Sequence, residues 1–343
     1  MVKTKKAKIL QVGLTQMTKK ILVFLLIFSL SLVAKDLKPS YVYEASGSVT
    51  DIVSLNDKIY VATDASGVDI FDLKTKKLIS KIKVPQIKDF MGDIIDAKVY
   101  NVDVFNGKVL LTSQASKGLR EIHIFEDNKL NTVISIEKKF LIGKAKFIND
   151  EQIAFSTLGN EMFLYNYKTE KMIWRINVKA DDATFNSTFA DFALNENRDT
   201  AVVSDESGDL KIVDIKNGKI VKLLADKNLD KVFKVDFKND RIITAGQDGR
   251  CVVYNLKNGR DYFLREKHWF LIYGAGLSPS AKLGAFSSDE NNNVTVFNTK
   301  TKEKLFKLTN NIMTLSSILF ITEDEVFVTT DSLKFNYYNL KDK

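Results

Sequence analysis

An all-β fold, a single ring of seven four-stranded antiparallel blades, is predicted for residues 35–343 by three observations. They are an internal repeat, an even spacing of strand ends, and an unpartnered strand near the start of a chain whose last repeat stops early. The repeat is plainest in residues 189–298, where "FALNENRDTAVVSDESGDLKIVDIKNGKIVKLL" from Phe192, "VDFKNDRIITAGQDGRCVVYNLKNGRDYFL" from Val235 and "AGLSPSAKLGAFSSDENNNVTVFNTKTKEKLFKL" from Ala275 follow one plan. In each copy apolar runs alternate with polar turns, and the third run ends on a bulky apolar residue followed by Asp or Asn. The third-strand ends over the whole chain are Asp72, Glu126, Asn166, Asp214, Asn255, Asn298 and Asn339. Their six intervals average about 44 residues, the period of blades set around an axis.

The chain opens on a targeting segment, residues 1–34. Lys19 and Lys20 precede the apolar run Ile21–Val33, and Ala34 is a candidate cleavage position, which is the pattern of a secretory signal; Met17 is an alternative initiator. An apolar run of this length is short for a hydrocarbon core of ~30 Å, so no stable membrane insertion is expected after cleavage; a retained anchor is the alternative, because Leu32 at the −3 position is not the small residue a cleavage site prefers. No Cys follows the run to take a lipid, and the first arginine is Arg120, so there is no twin-Arg pair. Sec-type export, folding in the periplasm and no cofactor inserted beforehand are the expectation.

Next comes Pro39–Ser46, in which Tyr41, Tyr43 and Ala45 alternate as in an outer strand buried on one face. It has no partners of its own, while the last repeat ends at "LKFNYYNLKDK" without a fourth strand. A ring of sheets must hide its edges, so this N-terminal strand is expected to complete the C-terminal blade. Between blades one and two, "PQIKDFMGDIIDAK" (Pro85–Lys98) breaks the repeat and presents Phe90, Met91 and Ile94. Between blades five and six, "REKHWFLIY" (Arg265–Tyr273) presents His268, Trp269 and Phe270. Aromatic residues on such loops are common interface anchors, so these six are the candidate partner-binding residues. The bland reading places Phe270 and Tyr273 in the core and Trp269 between blades.

Composition narrows the function. Lys3, Lys5, Lys6, Lys8, Lys19 and Lys20 all lie in the targeting segment, so removing it lowers the net charge from +8 to about +2. A near-neutral body lacks the basic stripe that a nucleic-acid partner requires. With 23 Phe and 11 Tyr against 3 Pro, the chain suits strands packed face to face. Cys251, the single cysteine, stands in the third strand of blade five as a small apolar core residue, and no internal disulfide can form.

Catalytic patterns are sparse. The two histidines, His123 and His268, fall in different blades, and "GAGLS" (Gly274–Ser278) lacks nucleophile-elbow spacing. Haem attachment and a phosphate-cradling glycine loop are absent as motifs. Asp289, Asn291 and Asn293 have the spacing that opens a calcium loop, but the sixth-position Gly is missing and Lys300 stands where a Glu is required. They are expected to form a turn in blade six, "TEDE" at Thr322–Glu325 a turn in blade seven, and "DDATFNST" at Asp181–Thr188 a surface loop. Neither a metal, a cofactor nor an enzyme activity is expected.

The repeat resembles the WD40 class, most closely in "TAGQDGRCVVYNLKNG" (Thr244–Gly259). There Tyr254-Asn255 stands where that family has Trp-Asp, as do Phe71-Asp72, Val213-Asp214, Phe297-Asn298 and Tyr338-Asn339. No blade has a true Trp-Asp or the family's Gly-His. "LYNYKTEKMIWRINV" (Leu164–Val178), with Trp174, is similar to the repeat of quinoprotein-type propellers, some of which are scaffolds for outer-membrane assembly. In size, export signal and style of repeat, the whole chain resembles the propeller proteins associated with periplasmic nitrate reductases in epsilon-type proteobacteria. That resemblance implies an exported, non-enzymatic scaffold whose protein partners are components of the nitrate reductase system; separately, a monomer is expected. The alternatives are the outer-membrane-assembly scaffold and a propeller that binds a small ligand.

Overall fold

The computed structural model describes residues 34–179, 187–266 and 270–342. They form seven four-stranded antiparallel blades arranged as a β-propeller. Blades one to six span residues 49–83, 99–134, 142–177, 189–224, 232–264 and 275–308, and blade seven spans 315–339. Within each of these blades the strands follow in chain order from the central axis outward. The first strand of each blade contacts the first strand of the next, so seven innermost strands surround the axis.

All seven strand ends read from the repeat are observed ends of third strands, and the reason is local chemistry. A side-chain oxygen at that position accepts the backbone N–H groups that follow it and so shapes the outer turn. Asp72 Oδ1 accepts from Thr75 N at 2.7 Å, Asn166 Oδ1 from Thr169 N at 2.9 Å, and Asn298 Oδ1 from Lys300 N at 2.9 Å. Asp214, Asn255 and Asn339 do the same. Glu126 differs because its turn is the two-residue Asp127-Asn128, both with positive φ, which forms a hairpin without a capping oxygen. The Glu126 carboxylate instead meets Lys108 and Lys168. The bulky residue before each cap points inward, and Phe71, Tyr165, Val213, Tyr254, Phe297 and Tyr338 are all buried.

Ring closure follows the sequence expectation. Tyr41–Glu44 pairs antiparallel with Lys334–Asn339 as the outer strand of blade seven, with Tyr43 opposite Phe335. Tyr43 and Ala45 are buried while Tyr41 remains on the surface. The Tyr43 ring stacks on Phe335 at 5.1 Å and meets Phe71 of blade one edge-on at 5.5 Å. One strand thus joins three parts of the chain. A second N-terminal contact has no counterpart in the sequence reading: Lys35–Leu37 runs parallel to Lys304–Leu308 and gives blade six a fifth strand. Leu37 enters the core shared by blades six and seven.

Between blades the cores are apolar and tightly filled. Cys251 is fully buried between blades five and six, where burial pushes its thiol up, away from reactivity. Trp174, on the outer strand of blade three, donates from Nε1 to Ile215 O at 2.8 Å and covers Gly218 of blade four. Gly218 has φ 60°, and a Cβ there would stand 2.6 Å from the indole. Only glycine satisfies both demands. The calcium-like triplet is a turn, in which Asp289 Oδ1 accepts from Asn291 N and Asn293 N while Oδ2 faces Lys307 at 3.1 Å. Thr322–Glu325 also contains the turn expected of it. Of Asp181–Thr188, residues 181–186 lie outside the described residues, and Ser187 is buried against Asp205.

Candidate functional site

The first position after the bulge in the innermost strand is occupied by Asp51, Asn101, Lys144, Asp191, Lys234 and Ser317 in blades one to five and seven, and by Gly274, just before the unbulged strand, in blade six; two residues on stand Val53, Asp103, Lys146, Ala193, Asp236, Gly276 and Leu319. Except for Asn101, Gly274 and Gly276, the residues of these two rungs line the central channel. Around them lies a cavity of about 450 Å³.

The acids in these rungs hold neighbouring blades together. Asp51 Oδ2 accepts from Val102 N at 3.1 Å, Asp103 Oδ2 from Phe147 N at 2.8 Å, Asp191 Oδ2 from Val235 N at 3.1 Å and Asp236 Oδ2 from Leu277 N at 2.9 Å. Asn101 bonds both main-chain groups of Ala145. Each acceptor reaches from one blade to the next. Blade three breaks the pattern by placing Lys144 and Lys146 in both rungs, so the contact that its rungs make with blade four is Lys144 Nζ to Asp191 Oδ1 at 2.6 Å. At the channel mouth Arg198, on the turn between the first two strands of blade four, reaches blade two. It donates to both Asp103 oxygens, at 2.6 and 3.3 Å, and to Phe147 O at 2.6 Å.

These contacts set the charge states. Burial opposes ionisation of Asp103 and Asp191, but Lys146 and Arg198 hold the Asp103 carboxyl, and Lys144 and Lys234 the Asp191 carboxyl, below the usual range. Burial would also lower the Lys144 ammonium, and Asp191 and Asp51 outweigh it and raise it. Lys146 goes the other way: burial prevails over the attraction of Asp103, whose carboxylate is 3.7 Å away, and Lys144 adds repulsion.

Two further polar clusters lie inside the blades. Lys211 and Asp205 form an ion pair at 2.7 Å with side chains only 2% and 1% exposed. Asn160 of blade three and Ser187 both donate to Asp205 Oδ2 at 3.0 Å, tying the pair to the neighbouring blade. In blade two, Ser113 Oγ lies 2.9 Å from His123 Nε2, and His123 Nδ1 lies 2.9 Å from Thr132 Oγ1. This resembles a catalytic dyad only superficially: the carboxylate of Glu121 is 3.9 Å from the same Nε2, and Thr132 occupies the side where an orienting acid would stand. The bridge joins the second, third and fourth strands of the blade.

Burial pulls the His123 imidazole from 6.5 down to about 4. The unfolded chain takes up a proton near pH 6.5 that the folded chain refuses until about pH 4. Stability is therefore lost as pH falls through that interval, by ~3 kcal/mol at its lower end at about 1.4 kcal/mol per pH unit. Chemical denaturation of His123→Gln across pH 7 to 4 is expected to show a flatter profile than the wild type. Equal slopes would mean that another group carries the acid sensitivity. The depressed Asp103 and Asp191 carboxyls act below their ordinary 3.8 and do not overlap this window.

The predicted partner-binding residues are placed by topology. One face of the ring carries the blade-to-blade connections and the turns between second and third strands; the other carries the remaining turns. Pro85–Lys98 lies on the first face and contains a small hairpin, Ile87–Lys88 paired with Ile94–Ile95. Asp89 caps its tip by accepting from Met91 N and Asp93 N. Phe90, Met91 and Ile94 are 95%, 74% and 69% exposed. Phe270 is half-buried on the same face across the ring, and His268 and Trp269 lie outside the described residues. Sequence reasoning missed the rest of this surface. Leu141, Leu158, Leu229, Ile312, Met313 and Leu333 are also exposed, all on connections or turns of that face. Among the described residues the turns of the opposite face expose no large apolar side chain.

Searches for similar proteins return no matching family model and no matching curated protein.

Proposed function

We propose that this chain is an exported, non-enzymatic scaffold that captures a protein partner on the apolar loop face. The observation that carries the reading is the hairpin at Phe90, Met91 and Ile94, three large apolar side chains held in water by a capped turn that contributes little to the core. Outside the outer strands, the exposed large apolar side chains fall on the connections and turns of one face, which favours a partner that removes them from water there, whereas single exposed residues need no such explanation. A rigid ring with variable loops is suited to that task. The secretory pattern at Met17–Ala34 supports a periplasmic location. The resemblance in size and repeat to propellers associated with periplasmic nitrate reductases makes subunits and maturation factors of that system the first partners to test. Capture of those purified components should succeed with the wild type and fall at least ~10-fold in affinity for the variant carrying Phe90→Ser, Met91→Ser and Ile94→Ser, with an unchanged melting midpoint. Retained capture by that variant, or a large loss of its stability, would remove the hairpin from the interface.

A further inference from the structure

Blade three departs from its neighbours in a way that ring closure does not require. Where blades one, two, four and five present an acid or amide that accepts an N–H from the next blade, "IGKAKF" (Ile142–Phe147) presents two lysines. Lys144 is used by Asp191, but Lys146 has no hydrogen bond among the described residues and its nearest carboxylate is 3.7 Å away. Lys234 of blade five, on the channel rung beside Asp191, makes no hydrogen bond and no close ion pair among the described residues, although its charge helps to hold the Asp191 carboxyl down. Ammonium groups in a recessed site are costly to leave unmatched, and apolar residues there would hold the ring at lower cost. The channel acids match these two ammonium groups only at longer range, since each already accepts a main-chain N–H, and Asp103 and Asp191 bind Arg198 and Lys144 more closely. On the other side of the cavity, blades seven and one bring Leu319 and Val53 to the second rung, an apolar wall facing the cationic one.

We propose that the central channel binds a small organic anion, its oxyanion head held by Lys146 and Lys234 and its apolar part against Val53 and Leu319. The volume of about 450 Å³ suits a metabolite-sized molecule. This site is independent of the loop face, because its mouth is lined by Glu196, Arg198 and Lys238 of the opposite face. The test is calorimetric titration and thermal denaturation of the full chain with succinate, benzoate, phosphate and sulfate as probes. Succinate or benzoate is expected to bind saturably and raise the melting midpoint, with Lys146→Met and Lys234→Met each weakening affinity at least ~10-fold. In the wild type the same anion should slow acetylation of Lys146 and Lys234 by an activated ester while leaving the exposed Lys74 unaffected; this readout stands even if a variant fails to fold. Absence of saturable binding by all four probes overturns the proposal, as does binding that survives both substitutions or leaves the two lysines unprotected. Binding of phosphate or sulfate alone overturns the organic assignment.

Discussion

A chain that begins at Gly47 is expected to lose the closed ring. The missing segment contains the outer strand of blade seven, the parallel strand on blade six, and the buried Leu37, Tyr43 and Ala45. Tyr43 alone lies among Phe71, Phe327 and Phe335, so truncating it to Ala should cost ~3–5 kcal/mol by analogy with buried aromatic residues. Loss of the whole segment also bares Lys334–Asn339 as an open edge, a template for pairing with other chains. The shortened protein should melt well below the wild type and aggregate at concentrations where the wild type stays dispersed. A synthetic peptide of residues 35–46, added in excess, should restore part of the midpoint by mass action. A shortened chain that melts within a few degrees of the wild type, without aggregation, would show that the clasp contributes little.

The second large effect is expected at Lys211. Replacing it with Met leaves the Asp205 carboxylate buried with its hydrogen-bond donors but without a counter-ion, a change that typically costs ~3–5 kcal/mol. Replacing both members, Lys211→Met with Asp205→Asn, should recover much of the loss, because the amide keeps acceptor capacity for Asn160 and Ser187 without a charge to compensate. Urea denaturation of the two single variants and the double variant closes the cycle. A single-variant cost below ~1 kcal/mol, or a double variant no better than the worse single, would mean that the pair is not the electrostatic unit its burial indicates.

Much of the architecture was legible because it is written in short-range chemistry. Asp or Asn after a bulky apolar residue marks an outer turn through its own oxygen, and Glu126 remained readable because Asp127-Asn128 replaces that device. The clasp at Pro39–Ser46 followed from alternation together with the missing fourth strand of the last blade. The fifth strand of blade six was not legible, since three residues, Lys35–Leu37, carry no periodicity. Pro85–Lys98 was visible as a break in the repeat, yet its small hairpin was not. For the candidate site, Phe90, Met91 and Ile94 could be singled out, whereas Leu229, Ile312 and Met313 each look like an ordinary loop residue.

The sequence by itself determined the strands of each blade, the number of blades and the closing strand. These rest on local turn chemistry, on period-2 burial and on the need to cover a sheet edge. Only the tertiary structure decided which charges meet: Arg198 reaches Asp103 across 95 residues of chain, Lys144 reaches Asp191 across 47, and Lys146 and Lys234 are left facing a cavity. The physical reason is that partners on the channel rungs come from different blades, and no periodicity within one blade specifies them until the ring has closed.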